Sequence, residues 1–419
     1  MKCDLLVLGG GAAGIAAAVT AARQGARVVL IERSGMLGGM ATAALVHTVC
    51  GLYFLREEPG AVVAHSGFPA EFAARLIKNG AATGPVRMGR VDVLPHSPTG
   101  FACVADSLVT ECASLETILH SELIQVLRDG PRIKEVTAIC RGTRMTFHPK
   151  ATVDASGDAL LATLAGHECE IAPPKRLQRP AFIFVLHGVK VSALDDEGRI
   201  KLAVMLTTAV SACALDPGVL GAHFRVTGRG SEVYVTIDLT APALDPTSPA
   251  QLAALEQTGR HLATSLASFL RANHTAFREA HISAFPTRVG IRESRRIRGK
   301  ATVTEEDIIS GTTRADVVAL GTWPIESREK ATGPRWRYPV HLRPTQIPLD
   351  ALRPADIDNC WTAGRCISCE HEAQASLRVI ATCMATGQAA GAAAALQARD
   401  GIAPEAEAVR ALIGMEVPQ

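Results

Sequence analysis

The chain opens with Met1-Lys2-Cys3-Asp4-Leu5-Leu6-Val7-Leu8-Gly9-Gly10-Gly11-Ala12-Ala13-Gly14, and the reading of this stretch decides the fold. Met1 to Leu8 has the apolar character of a buried strand, and an alanine-rich helix follows the glycines to about Gln24. Arg27 to Ile31 gives a second apolar strand that ends at Glu32. Strand, glycine turn, helix, strand and terminal acid in this register form a βαβ unit with the dinucleotide-binding fingerprint. Gly9 permits the tight turn, Gly11 has no Cβ to block a pyrophosphate, and Gly14 allows close packing of helix on sheet. The helix start offers free N–H groups and the positive end of its dipole to phosphates. Glu32 is placed to accept hydrogen bonds from a ribose, which disfavours a 2′-phosphate.

The 419 residues exceed one typical domain, so two are expected. Hydrophobic residues make up 47% and charged residues 20%, as in ordinary globular enzymes. With 43 Lys+Arg against 41 Asp+Glu, no excess charge draws the chain to nucleic acid or acidic membranes. Aromatic residues at 4% also argue against a single-strand stacking platform. No apolar run reaches the roughly 18 residues of a membrane span, and no secretory signal is evident. Eleven scattered cysteines do not suggest a disulfide framework, so a reduced, cytoplasmic location is expected.

Further along, Gly38-Gly39-Met40-Ala41-Thr42 suggests a second close approach of backbone to the cofactor. Helices are predicted at Pro69–Lys78, with Phe72, Leu76 and Ile77 on one face, and at Ala102–Cys112, before a strand at Glu116–Leu119. Strands at Glu122–Leu127, Ile133–Cys140 and Arg144–His148, with turns at Asp129-Gly130-Pro131 and Arg141-Gly142, form an antiparallel meander. It leads into another strand and turn, Ala151 to Asp158. A meander in place of a crossover helix is a feature of flavoprotein dinucleotide folds. From about Ile171 the pattern changes to strands at Ala181–Val189, His223–Val226 and Glu232–Leu239 and helices over 198–213 and 249–280. No second glycine-rich fingerprint occurs there, so no nicotinamide domain is expected. Asn359 to Arg365 reads as a last strand and turn, and Ala373 to about Leu396 as one long small-residue helix.

Five motifs in order resemble the FAD-dependent oxidoreductase family. They are Gly38-Gly39-Met40-Ala41-Thr42, Asp154-Ala155-Ser156-Gly157-Asp158, Arg292-Glu293-Ser294-Arg295-Arg296, Ala363-Gly364-Arg365-Cys366-Ile367-Ser368 and Gly387-Gln388-Ala389-Ala390-Gly391. The resemblance spans the chain and implies a glutathione-reductase-like fold, more distantly that of fumarate reductase flavoproteins. The expected class is α/β: a Rossmann-type FAD-binding domain with a β-meander (1–170 and 340–419) and a mixed α+β substrate domain (171–339). FAD is expected on Gly9, Gly11, Ala13, Gly14, Glu32 and Arg33, on the loop Gly38, Gly39, Met40, Ala41 and Thr42, and on Ala155, Gly157, Asp158, Gly364 and Arg365. The start of the last helix is expected to face the flavin N1–C2=O edge.

Four side chains are candidates for the chemistry. His371, at the start of the last helix, and His47, just beyond the second glycine loop, suit proton transfer near neutral pH. Arg292, in a basic cluster with Arg288, Arg295 and Arg296, and Arg378 suit binding of a carboxylate. Structural roles, in hydrogen bonds or internal ion pairs, are the alternative for each. Cys366 and Cys369 form a CxxC where the family has a small residue after Ser368. A redox dithiol and buried inert thiols are both open, whereas a metal site lacks a second CxxC. The expected activity is hydride transfer between flavin N5 and a small polar substrate, carboxylate-bearing in the favoured version. A flavin monooxygenase and an electron-transfer subunit without a small substrate are the alternatives. A quinone, a carrier protein and oxygen are all open as electron partner, and a homo-oligomer is compatible.

Overall fold

The computed structural model of the chain describes residues 1–240, 244–330 and 333–416. β1 (Lys2–Leu8) is followed by α1 (Ala12–Arg23) and β2 (Val28–Ile31), which pairs parallel to β1 with Leu5 opposite Val28. Leu5, Leu6 and Val7 are wholly buried, as expected of a central strand covered on both faces. β3 (Leu115–Ile118) adds parallel to β2. β4 (Glu122–Asp129), β5 (Arg132–Cys140) and β6 (Thr143–Asp154) form the meander and give the order β3-β2-β1-β6-β5-β4. The two strands predicted around His148 and Ala151 are one, because β6 changes partner along its length. Its first half pairs antiparallel with β5, and its second half runs parallel to β1.

The second unit is a four-stranded antiparallel sheet of β7 (Ala181–His187), β8 (His223–Val226), β9 (Val233–Asp238) and β10 (His281–Ala284), in the order β8-β9-β7-β10. Alternation divides its faces. Phe182, Phe184, Leu186, Val233, Val235 and Ile237 pack in one apolar cluster with Leu255, Leu262, Leu266 and Leu270 of α2 (Pro249–Asn273). Ser248 caps α2, and Gly259 admits the Phe182 ring, which a Cβ would meet at 2.2 Å. The opposite face of the sheet looks toward the first unit.

The chain returns through β11 (Cys360–Thr362), parallel to the end of β6. α3 (His371–Leu377) and α4 (Ile380–Asp400) follow, bent by 95° at a break where a single helix was expected. Val379 takes extended backbone there, and its side chain is buried with Leu55, Val91, Val93 and Trp323. The free Ala381 N–H of the new helix start is taken by the Cys50 carbonyl at 3.1 Å. These tertiary contacts outweigh helix propensity in a stretch already weakened by β-branched Val379 and Ile380. No single helix among the described residues is long and apolar enough to cross a membrane.

Three other expectations differ in detail. Ile77 is exposed, leaving Phe68, Phe72 and Leu76 as the buried face of helix Phe68–Lys78. The helix expected from Ala102 starts at Pro98, behind the Ser97 cap, and ends at Thr110. The helix expected to reach 280 ends at Asn273 and is followed by edge strand β10. The second core ends at Val289, and Val303, Ile308, Val318, Ala319 and Ile325 join the nucleotide-binding core.

α4 lies on α1 backbone to backbone. A Cβ on Gly387 would sit 2.1 Å from the Ala13 carbonyl oxygen, and one on Gly391 would sit 2.3 Å from that of Ala17. Gly387→Ala should therefore destabilise the protein by about 1–3 kcal/mol through overpacking. The check is the urea midpoint, and an unchanged midpoint would contradict this packing.

Candidate active site

A cavity of about 550 Å³ lies between the C-terminal ends of β1, β2 and β6 and the open face of the second sheet. At its first end, Gly9 has φ +99°, and a Cβ there would strike the Ala155 oxygen at 2.5 Å. Gly14 lies against the Gly9 carbonyl and does not line the cavity, so its role is packing. Gly11 is different: a Cβ there would meet nothing nearer than 3.8 Å, and the residue faces the cavity. Beside it runs the second glycine loop, where the Gly38 N–H donates to the Gly10 carbonyl at 2.8 Å. Gly39 adopts φ +57°, within 2.8 Å of Gly11 Cα for an added Cβ. Ala13, Gly38, Gly39, Met40 and Ala41 line the space, but Thr42 does not. Its hydroxyl donates to the Leu37 carbonyl at 3.0 Å and pins the loop from behind.

Glu32 is buried and accepts from the Gly10 N–H at 2.6 Å and the Ser34 N–H at 2.7 Å. One lone pair on each carboxylate oxygen is thereby used, and the group still lines the cavity with Arg33. The turn after β6 is held by Asp154, which accepts from Leu161 N–H at 2.8 Å and the Ser156 hydroxyl at 2.6 Å. Ala155, Gly157 and Asp158 line the cavity, as do Gly364 and Arg365. Arg365 donates to the Gly157 carbonyl at 2.8 Å and to Asp158 at 2.5 Å, tying the two turns together. Arg288 completes this end. Its Nε is buried without a partner, and burial pulls its pKa down to about 10. A buried guanidinium without a carboxylate ion pair among the described residues, beside an open glycine and a helix start, fits a pyrophosphate.

At the other end, alternation brings Ile183, His223, Arg225 and Thr236 to the cavity face of the second sheet. Arg292 donates to Asp238 at 2.7 Å and also to the Arg179 carbonyl. Arg328 bridges Asp238 at 2.8 Å and Glu326 at 2.6 Å. Burial would raise the Asp238 pKa, but Arg292 and Arg328 outweigh it and hold the carboxyl down to about 2. Arg378 donates to Gln178 at 3.3 Å and lies where α3 gives way to α4. Among the described residues, neither Arg225 nor Arg378 makes a carboxylate ion pair. Four cavity arginines thus face two acids. Trp323, Trp336 and Met88 add apolar wall.

Arg292, Arg378 and His47 therefore line the cavity, and His371 does not. His371 Nδ1 lies 2.8 Å from Glu293 and Nε2 lies 3.0 Å from Glu329. Burial lowers its pKa, but these carboxylates outweigh that and leave it raised, as suits a structural ion pair. Glu293 also takes Arg296 at 2.6 Å, and Ser294 donates to Asp158 at 2.7 Å, so the arginine-rich motif is largely a strap. His371, expected beside the cofactor ring, lies outside the cavity, and Val379 and Ile380 beyond the break in the helix line it instead. Cys366 and Cys369 are also buried away from it, with thiol pKa values pushed up by burial, to about 12 for Cys369. Their placement favours inert thiols.

His47 packs on Tyr234, with ring centroids 4.3 Å apart. Its Nδ1 lies 3.1 Å from the Leu45 carbonyl, which only accepts, so Nδ1 carries the proton and Nε2 keeps a lone pair without a protein partner. Burial pulls its pKa down to about 3. Arg288, grouped by its sequence neighbourhood with Arg292 for a carboxylate, lies instead at the glycine-turn end, and Arg225, Thr236 and Asp238 were not expected at the site. A signal for the last two was present. In Val233-Tyr234-Val235-Thr236-Ile237-Asp238 every second residue is polar within a strand otherwise buried, which marks a polar cavity face.

A dinucleotide-binding unit joined by a deep cavity to an antiparallel substrate-side sheet defines a Rossmann-type flavoprotein architecture. The family model described as FAD dependent oxidoreductase matches residues 4–413, and the chain belongs to that family. No curated protein matches its sequence. Among solved structures it is similar to a geranylgeranyl bacteriochlorophyll reductase-like protein from Thermoplasma acidophilum. That match has 12% identity and a TM-score of 0.50, covering 98% of this chain and 82% of the other. Similarity extends to the flavin-dependent brominase Bmp2 (11%, TM-score 0.47, 99% and 83%) and to PqsL of Pseudomonas aeruginosa (15%, 0.44, 99% and 90%). At such identities the likeness concerns the fold alone. The protein is an FAD-dependent oxidoreductase.

Two tests follow from this geometry. Gly11→Ala should leave the melting temperature of the apoprotein unchanged while lowering the FAD-to-protein ratio, whereas Gly14→Ala should destabilise the apoprotein. Equal effects of the two would contradict the distinction. Stability should also fall with acid. His47, His65 and His96 are held neutral by burial, with pKa values lowered to about 3, 4 and 4. Between pH 6.5 and 4 the unfolded chain binds more protons than the folded one, so each histidine removes up to about 1.4 kcal/mol per pH unit as pH falls. Denaturant titrations across this window measure the slope, and a flat profile would refute buried neutral imidazoles.

Proposed function

We propose that the protein oxidises or reduces a small anionic, carboxylate-bearing molecule at an FAD bound along the C-terminal ends of β1, β2 and β6. The observation that carries this reading is the charge balance of the inner cavity: Arg225, Arg292, Arg328 and Arg378 against Asp238 and Glu326. Uncompensated guanidinium groups lining one cavity favour an anionic ligand.

In this reading the N–H groups at the start of α1, with Gly11 and Arg288, hold the pyrophosphate, and Glu32 takes the ribose. Gly39 and the Ala155–Asp158 turn close over the nucleotide, and Gly364 and Arg365 flank the chain beyond it. FAD supplies the hydride-accepting or hydride-donating centre. The start of α4, at Val379 and Ile380, and the charge of Arg378 stabilise negative charge near the ring. Arg292 is held by Asp238 and shapes the site, and Arg225 and Arg378 carry the free charge. His47 packs on Tyr234 and shapes the wall of the site; buried and neutral, with its low pKa, it does not store the proton.

Anaerobic titration of the FAD-loaded protein with pooled small carboxylates tests the reading. Bleaching of the flavin band by a carboxylate pool and not by neutral analogues is expected. Arg378→Met should then slow this reduction by about 10²-fold with FAD retained. Reduction by NAD(P)H alone, followed by oxygen-dependent hydroxylation, would replace this reading with the monooxygenase one.

A further inference from the structure

We propose that Arg225 is the receptor for the substrate's carboxylate, with the body of the substrate laid against the indoles of Trp323 and Trp336. This deepens the reading above and rests on it: it assigns the anion to one side chain and the rest of the molecule to a flat, apolar class, an aromatic or similarly planar carboxylic acid.

Arg225 stands on β8 opposite Tyr234 of β9, on the face that alternation turns to the cavity. Among the described residues its side-chain polar contact is from Nη1 to the Met88 sulfur, an uncharged and weak acceptor. The cations Arg199 and Arg328 act on it, and no carboxylate among the described residues pairs with it. Burial and these like charges both pull its pKa down, a strain on the charged form that an anionic ligand would relieve.

Two of the other cavity arginines are already committed to carboxylates. Arg292 and Arg328 share Asp238, and Arg328 also holds Glu326. Arg378 donates to Gln178 and, at 3.5 Å, to the Glu326 carbonyl, next to the start of α4. The two surplus charges are thus separated: Arg378 beside the helix start and Arg225 on the sheet.

The apolar wall is equally fixed. Trp323 Nε1 donates to Glu326 Oε2 at 3.0 Å, which sets the plane of the indole. Trp336 meets it edge to face, with centroids 5.7 Å apart and planes at 60°. Met88, which takes Arg225 Nη1, packs against the same apolar cluster as Trp323, so two crossed rings and a guanidinium form one corner suited to a planar carboxylate.

Benzoate, with benzamide as its neutral isostere, probes the site. Each is titrated into the FAD-loaded protein and read by tryptophan fluorescence and by perturbation of the flavin band. Benzoate should bind at least about tenfold more tightly than benzamide. Arg225→Met should weaken benzoate by a similar factor while leaving benzamide binding and FAD content unchanged, and Arg225→Lys should recover part of the loss. Benzoate that fails to bind the unaltered protein, binds Arg225→Met equally well, or is lost together with benzamide or FAD overturns the assignment. If Arg378→Met loses benzoate and Arg225→Met does not, the anionic-substrate reading stands and the role of Arg225 falls.

Discussion

The backbone contact between α1 and α4 sets the geometry on which the rest depends. Gly387 and Gly391 rest on Ala13 and Ala17, leaving no room for side chains between the helices. The pairing of 387 with 13 and of 391 with 17 makes the two helices parallel, so both present their N-termini to the same end of the sheet. α4 begins seven residues before Gly387, so its start projects about 10 Å beyond that contact at 1.5 Å per residue. Two positive helix ends thus face one cavity at separate points, one at the glycine turn and one deeper in. An extended dinucleotide, with phosphates at one position and a reducible ring at the other, has dimensions that suit this spacing.

The electrostatics follow the same division. Arg288 near the glycine turn and Arg225 and Arg378 deeper in have no carboxylate partners among the described residues, whereas Arg292, Arg296, Arg328 and Arg365 have them. Burying a guanidinium without a counter-charge is unfavourable, and several in one cavity indicate charge supplied by ligands. The paired arginines instead join segments far apart in sequence. Asp238 alone connects β9 to Arg292 and Arg328, and Glu293 connects the strap at 292–296 to His371 on α3.

What the sequence made legible was local. The βαβ unit, its glycines, Glu32 and the meander follow from periodicity and turn chemistry within short windows, and they stand where expected. The break between α3 and α4 was not legible, because Cys50, Val91 and Trp323, remote in sequence, impose it. His371, whose nearness in sequence to Gly364 and Arg365 suggested nearness to the cofactor, lies outside the cavity. Thr42, expected on FAD, holds its loop from behind through the Leu37 carbonyl, and Gly14, expected both on FAD and in helix packing, lies against the Gly9 carbonyl. Thr236 and Asp238 were legible through alternation. Arg225 alternates with Phe224 and Val226 on a four-residue strand, but only the pairing of β8 with β9 shows that its polar face is the cavity face.

The most direct test of the account is the structure of the FAD complex. The account predicts the pyrophosphate within hydrogen-bonding distance of the N–H groups at the start of α1, next to Gly11 and Arg288. It places the pyrimidine edge of the isoalloxazine at Val379 and Ile380, with open space between the ring and Arg225. An isoalloxazine beside His371, or a pyrophosphate away from Gly11, would contradict it.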